Sequence, residues 1–149
     1  MNTKNVFSLI VVVIISAVSA CAQEFKVLTV VESIVPGGFG RSRLLEVKEN
    51  VDYKNFTTER VVGNKSDQGD IKRGDIKIDN FAETKLLNFY SIAGINFQNI
   101  ASNDAVITSK INEMAKEGWQ LLFVTSGVES DGGKSDGEGI FITRFIFKK

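Results

Sequence analysis

Histidine is absent from the 149 residues, and cysteine occurs once, as Cys21. Together these absences exclude His-dependent catalytic triads, cysteine proteases working from the main body of the chain, and His-ligated zinc sites. Carboxylate, Lys, Tyr and Ser chemistry remain. With no second cysteine there is no disulfide, so stability has to come from burial. Proline is also scarce, Pro36 being the only one. Charge shows no excess of either sign: 18 basic residues stand against 18 acidic ones. A protein that gains affinity for DNA or RNA by counterion release carries a basic excess or stripe, and the nearest approach to one, Lys72-Arg73 and Lys77, is interleaved with Asp70, Asp75 and Asp79. No nucleic-acid partner is expected.

One long apolar run is present, from Val6 to Ala17, preceded by Lys4 and followed by Val18-Ser19-Ala20-Cys21. It falls short of the roughly 20 apolar residues of a membrane span, and Ser8, Ser16 and Ser19 interrupt its neighbourhood. The expectation is a signal peptide over residues 1–21 and a single domain over 23–149. Two processing routes fit. Val18-Ser19-Ala20-Cys21 resembles the lipobox of bacterial lipoproteins, which implies lipidation of Cys21 and a membrane-anchored protein. Ala20-Cys21-Ala22 is alternatively a small-x-small site for ordinary signal peptidase, giving a soluble periplasmic or secreted chain that starts at Gln23. The lipoprotein route is favoured. Since strand-like sequence begins at Phe25, a lipid on Cys21 would sit about four residues, or roughly 14 Å, from the folded domain.

The remaining chain is long enough to bury a core unaided. Phe25 to Glu32 alternates Phe25, Val27, Thr29 and Val31 against Lys26, Leu28, Val30 and Glu32, as a strand does. Pro36-Gly37-Gly38-Phe39-Gly40 breaks it, and Arg43 to Val47 resumes as a short strand. From about 48 to 80 the sequence is polar and charged, a long excursion with little core; within it Gly69-Asp70-Ile71-Lys72 recurs as Gly74-Asp75-Ile76-Lys77, expected to form a loop or hairpin. A strand is predicted over Lys85 to Ile92. Ser102-Asn103-Asp104 reads as the cap of a helix whose apolar face holds Ile107, Ile111, Met114 and Ala115, with Lys110, Glu113, Lys116 and Glu117 pointing elsewhere. Gly118 ends it. Trp119 to Thr125 and Ile140 to Lys148 read as two further strands joined by an acidic, Gly-rich hairpin. The predicted fold is α+β: an antiparallel sheet of four to five strands with one main helix packed on one face.

Met114-Ala115-Lys116-Glu117-Gly118-Trp119-Gln120-Leu121, followed by a strand, a hairpin loop and Arg144-Phe145-Ile146-Phe147-Lys148, resembles a small bacterial domain-of-unknown-function family. Its pattern is a strand, a helix ending in acidic-Gly-Trp-Glu-Leu, and two closing strands. The likeness covers about Leu86 to Lys149, and Gln120 stands where the family has Glu. The front half, with Val31-Glu32-Ser33 and Gly37 to Arg43, resembles exported proteins of the Bacteroidetes type. The resemblance implies a fold and an address, and no catalytic residues. Gly118 and Trp119 have a structural explanation of their own: one turns the chain out of the helix, the other covers the helix end.

Gly37, Gly38, Gly40, Arg41, Ser42 and Arg43 form the first candidate site, because glycines let backbone N–H groups converge on an anion while two arginines add contacts to a carboxylate or phosphate. The pattern is neither a Walker loop nor a dinucleotide fingerprint. Its plain alternative is a hairpin loop whose arginines are solvated or paired with Glu46. Asp131, Asp136 and Glu138 are a weak calcium candidate on the last hairpin, with Lys134 among them; a solvated tip is favoured and no metal or cofactor is expected. The expected function is a noncatalytic binding or assembly domain of the cell envelope, with an envelope protein or a small anionic ligand as partner. The alternative is a small hydrolase using Arg41 with Glu32 or Glu46.

Overall fold

The computed structural model describes residues 23–34, 41–60, 62–63, 71–128 and 139–149. Strands β1 (Phe25–Ser33), β2 (Arg43–Val47), β3 (Phe81–Lys85), β6 (Gln120–Val128) and β7 (Ile140–Lys148) form one sheet in the order β3-β2-β1-β7-β6. Every neighbouring pair is antiparallel. A two-stranded hairpin, β4 (Tyr90–Ser91) with β5 (Gly94–Ile95), leads into the helix α1 (Phe97–Lys116). The fold is therefore α+β, one main helix and a five-strand antiparallel sheet plus a small hairpin.

The pleat assigns each strand residue to a face. Leu28 lies opposite Glu46 on one side and Phe145 on the other, and Val30 opposite Leu44 and Thr143. This face meets α1, and Leu28, Val30, Leu44, Leu86, Met114, Trp119 and Phe147 make the buried core, with Ile107, Ile111 and Phe145 packed against it. Phe141, Phe145 and Phe147 thus supply β7's covered face, while Ile140, Ile142 and Ile146 lie on the other. Bulky Phe side chains on a central strand fill the gap beneath a single helix.

The helix starts earlier than its apolar periodicity predicts. Asn96, not the Ser102-Asn103-Asp104 triplet, is its N-cap, accepting from the backbone N–H groups of Gln98 (3.0 Å) and Asn99 (3.2 Å). Its C-terminus is a Schellman turn: the Trp119 N–H donates to the Met114 carbonyl and the Gly118 N–H to the Ala115 carbonyl, both at 3.0 Å. Gly118 takes φ +92°, the left-handed conformation that other residues adopt at a cost. Trp119 then folds back into the core beside Met114. Ala115, placed on the apolar face by the periodicity, is exposed.

Two further expectations are corrected. Lys85 to Ile92 is not one continuous strand: the chain leaves β3 at Lys85, residues 86–89 cross the end of the sheet, and only Tyr90–Ser91 pair again, in the small hairpin. Their alternation survives, with Leu86 and Asn88 buried and Leu87 exposed, but their backbone partners are scattered. The Leu86 N–H donates to the Ser42 carbonyl, and the Phe89 N–H to the Ser33 carbonyl. Periodicity reported the burial, which arises here without a ladder. Lys110 does not point away from the core side either; its side chain is 16% exposed and reaches Glu46, because a buried carboxylate lies beneath that turn of the helix. In the excursion, the described residues form a 3-10 turn at Tyr53–Phe56 and tight turns in which the Asp75 N–H donates to the Lys72 carbonyl and the Lys77 N–H to the Gly74 carbonyl. Residues 71–80 form no hairpin of strands.

Candidate functional site

Ser42, Asn88, Asn99, Asn103 and Glu32 converge where the end of β1 and the residue before β2 meet the N-terminal half of α1. The Ser42 hydroxyl accepts from the Ser33 N–H (3.0 Å) and donates to Asn88 Oδ1 (2.7 Å). Asn103 serves the crossing segment as a neighbouring strand would: its Oδ1 accepts from the Leu87 N–H and its Nδ2 donates to the Leu87 carbonyl, each at 2.8 Å. The same Nδ2 donates to Glu32 Oε1 at 2.9 Å. Asn99 Nδ2 donates to the Asn88 carbonyl (2.9 Å). Phe89 and Phe141 pack beside this network with their rings tilted by 60° and their centres 5.7 Å apart, and Phe141 lies opposite Glu32 in the sheet register. Burial raises the Glu32 pKa, the Asn103 hydrogen bond opposes this, and the nearby Asp104 charge adds to it; the net direction is upward.

The sequence-predicted loop divides. Gly37, Gly38 and Gly40 lie outside the described residues. Arg41 is exposed and Ser42 fully buried, its hydroxyl committed to the network above. Arg43 Nη1 donates to the Ser42 carbonyl (2.9 Å), and its Nε lies 3.5 Å from Glu83 on β3. Glu83, not Glu46, is therefore the carboxylate of Arg43, because the pleat puts residues 43 and 46 on opposite faces. Asp131, Asp136 and Glu138 lie outside the described residues, as does Cys21. Among the described residues no cluster of three acidic or thiol groups could hold a metal ion, and no helix is long and apolar enough to cross a membrane.

At the other end of the covered face, roughly 13 Å along β1 from Glu32 by strand rise, Glu46 is the hub of an ion-pair cluster. Lys48 Nζ lies 2.7 Å from it, Lys110 Nζ 2.9 Å and Lys26 Nζ 3.3 Å. Burial pushes the Glu46 carboxyl up, but the three lysine hydrogen bonds outweigh it and lower the pKa to about 2. Lys110, which also pairs with Glu113 at 2.9 Å, is raised in turn: burial lowers it, and its two carboxylate partners prevail. The Lys26 and Lys149 ammonium groups lie 5.0 and 5.8 Å from the Trp119 ring centre. This end is built for stability. A carboxylate held by three cations is a poor base, so Glu46 leaves the hydrolase alternative and Glu32 alone remains in it.

Asn103 and Lys110 were misread from sequence, although one signal was present. Position 103 continues the stripe of Ile107, Ile111 and Met114 at helical spacing, so an Asn there is a polar group aimed at the core.

The sheet's two edges differ. β3 has five residues and carries Glu83 and Lys85. β6 has nine, Gln-Leu-Leu-Phe-Val-Thr-Ser-Gly-Val, with no charge, and every one of them is exposed. Its register against β7 moves from Leu121↔Phe147 to Phe123↔Ile146, a bulge at Leu122. Comparisons with known proteins find no matching family model, no similar curated protein and no similar solved structure.

Proposed function

We propose that this chain is a noncatalytic binding and assembly domain of the cell envelope, exported on its first 21 residues and held at the membrane through Cys21, and that a protein partner adds a strand to β6. The likeness of its second half to the domain-of-unknown-function family belongs to the same reading. The inequality of the two edges carries it. An edge strand offers unpaired N–H and C=O groups, and proteins blunt such edges with charges, proline or shortness. β3 is blunted by all but proline, whereas β6 is long and uncharged. Strand addition draws affinity from main-chain hydrogen bonds and selectivity from alternate side chains, here Phe123 and Thr125 on one face and Val124 and Ser126 on the other. Arg41, just before β2, lies at the same end of the sheet as Val128.

Photo-crosslinking in the native host tests this. A crosslinker at Thr125 is expected to give a discrete adduct that disappears when Val124→Lys puts a charge in the strand, and one at Glu83 to give none. Adducts from Glu83, or none from Thr125, would reject the edge. A second reading, a small hydrolase with Glu32 as proton donor, is favoured by one observation, the upward shift of that carboxyl beside Asn103. Hydrolysis of an envelope polysaccharide that vanishes in a fully folded Glu32→Gln variant would transfer the conclusion to it.

A further inference from the structure

Turning from the edge to the sheet's face away from α1, the register collects a distinct set of side chains. β1 contributes Phe25, Val27 and Val31, β2 Leu45 and Val47, β3 Phe81, and β7 Ile142 and Ile146, with Phe123 on β6. Phe25 and Phe123 are each more than half exposed, and Val27, Val47 and Phe81 more than two fifths. An exposed apolar surface running across five strands and interspersed with charged residues is the kind that marks an interaction or membrane site.

Charge on this face decides its occupant. Arg43, Lys85, Arg144 and Lys148 stand on it against Glu83 alone, although the whole chain is neutral. Arg144 is exposed at the middle of β7, between Thr29 and Thr125, and has no ion-pair partner among the described residues. Beside it Gly127, Val128, Ile140 and Ile142 line a hollow of about 450 Å³ that could take methylene groups while Arg144 meets a headgroup. A second copy packed face to face would bring like charges together. A protein partner would need carboxylates matched to four dispersed positions. An anionic lipid surface needs no such match, because long Lys and Arg side chains lay their stems on apolar groups and reach outward to phosphate.

We infer that the open face of the sheet lies on an anionic lipid surface, with Phe25, Val27 and Phe123 in the headgroup region and Arg144 and Lys148 against lipid phosphate. The inference rests on the envelope reading only for its biological setting. A lipid on Cys21, about four residues before Phe25, would present this face to the bilayer without being required for its affinity.

The test is flotation of the chain from Gln23, which contains every described strand, α1 and the described core, with vesicles of phosphatidylcholine holding about one quarter phosphatidylglycerol, and with phosphatidylcholine alone. Binding is expected to the anionic vesicles, to weaken as salt shortens the screening length, and to fall roughly fivefold for each cation removed in R144Q and K148Q. Lys116→Gln, on the exposed helix, should leave it unchanged. Equal binding to neutral vesicles, no binding, or unchanged affinity in the folded R144Q/K148Q double variant would overturn the inference. So would a dimer in sedimentation that protects Phe25 and Val27, which would assign the face to a second copy. An unmodified Cys21 in native material would reject the anchor and leave the vesicle result standing.

Discussion

Glu32 and Glu46 are both glutamates on the covered face of the β1–β2 pair, yet they titrate in opposite directions. Glu46 is the more deeply buried and ends near pKa 2, with Lys26, Lys48 and Lys110 around it. Glu32 has one neutral amide, Asn103, and a like charge nearby in Asp104, and moves up. Burial pushes both the same way, so the cations decide the sign. One end of the helix–sheet layer is thus electrostatically closed, while the other holds a carboxyl whose nearest partner is a neutral amide.

The sharpest way to break this comparison is Glu46→Gln. Removing the hub should cost about 3 kcal/mol at neutral pH, since one pKa unit is worth about 1.4 kcal/mol and the carboxyl lies well below its ordinary value. Because the folded pKa is depressed, this stability is present above the unfolded value of 4.5 and lost as pH falls towards 2. Denaturant melts between those limits should show a steep decline in the wild type that the variant lacks, and parallel curves would refute the assignment. Asn103→Ala should cost about 2–3 kcal/mol by leaving both Leu87 backbone groups and the Glu32 oxygen unpaired. Hydrogen exchange should locate the loss at residues 86–89; unaltered protection there would show that the crossing segment is held by other contacts.

Smaller and opposite in sign is Glu32→Gln. A raised folded pKa means that ionisation of Glu32 weakens the fold as pH rises, so the variant should be more stable than wild type at neutral pH, with the gain disappearing as pH falls towards the unfolded value of 4.5. A loss of stability at neutral pH would refute the upward shift. The smallest effect is expected from Arg41→Ala with Arg43→Ala, within about 0.5 kcal/mol by thermal melting, because Arg41 is exposed and the Arg43–Glu83 pair is partly solvated.

Much of the architecture was legible in local pattern. Alternation located β1 and β7, and Glu-Gly-Trp located the helix end, because a pleat and a left-handed cap impose their chemistry on adjacent residues. The candidate loop was legible only as composition: its arginines part company, and Ser42 is a buried structural hydroxyl. Alternation over Lys85 to Ile92 misled because burial at every second residue also arises where a side chain amide replaces a neighbouring strand. Asn103 misled for the converse reason. Its type is that of a cap, and its use inside a helix depends on a carbonyl and an amide 16 residues away.

The amino-acid order alone determined the secondary elements at the sheet's centre, the main helix and the absence of histidine or disulfide chemistry. These follow from periodicity over a few residues and from composition. Tertiary structure decided which face of β1 is covered, that three lysines from three elements converge on Glu46, that β6 is left as an uncharged edge, and that four cations share the open face. Each of those depends on register between strands distant in the chain, and a one-residue slip in any pairing would reverse it.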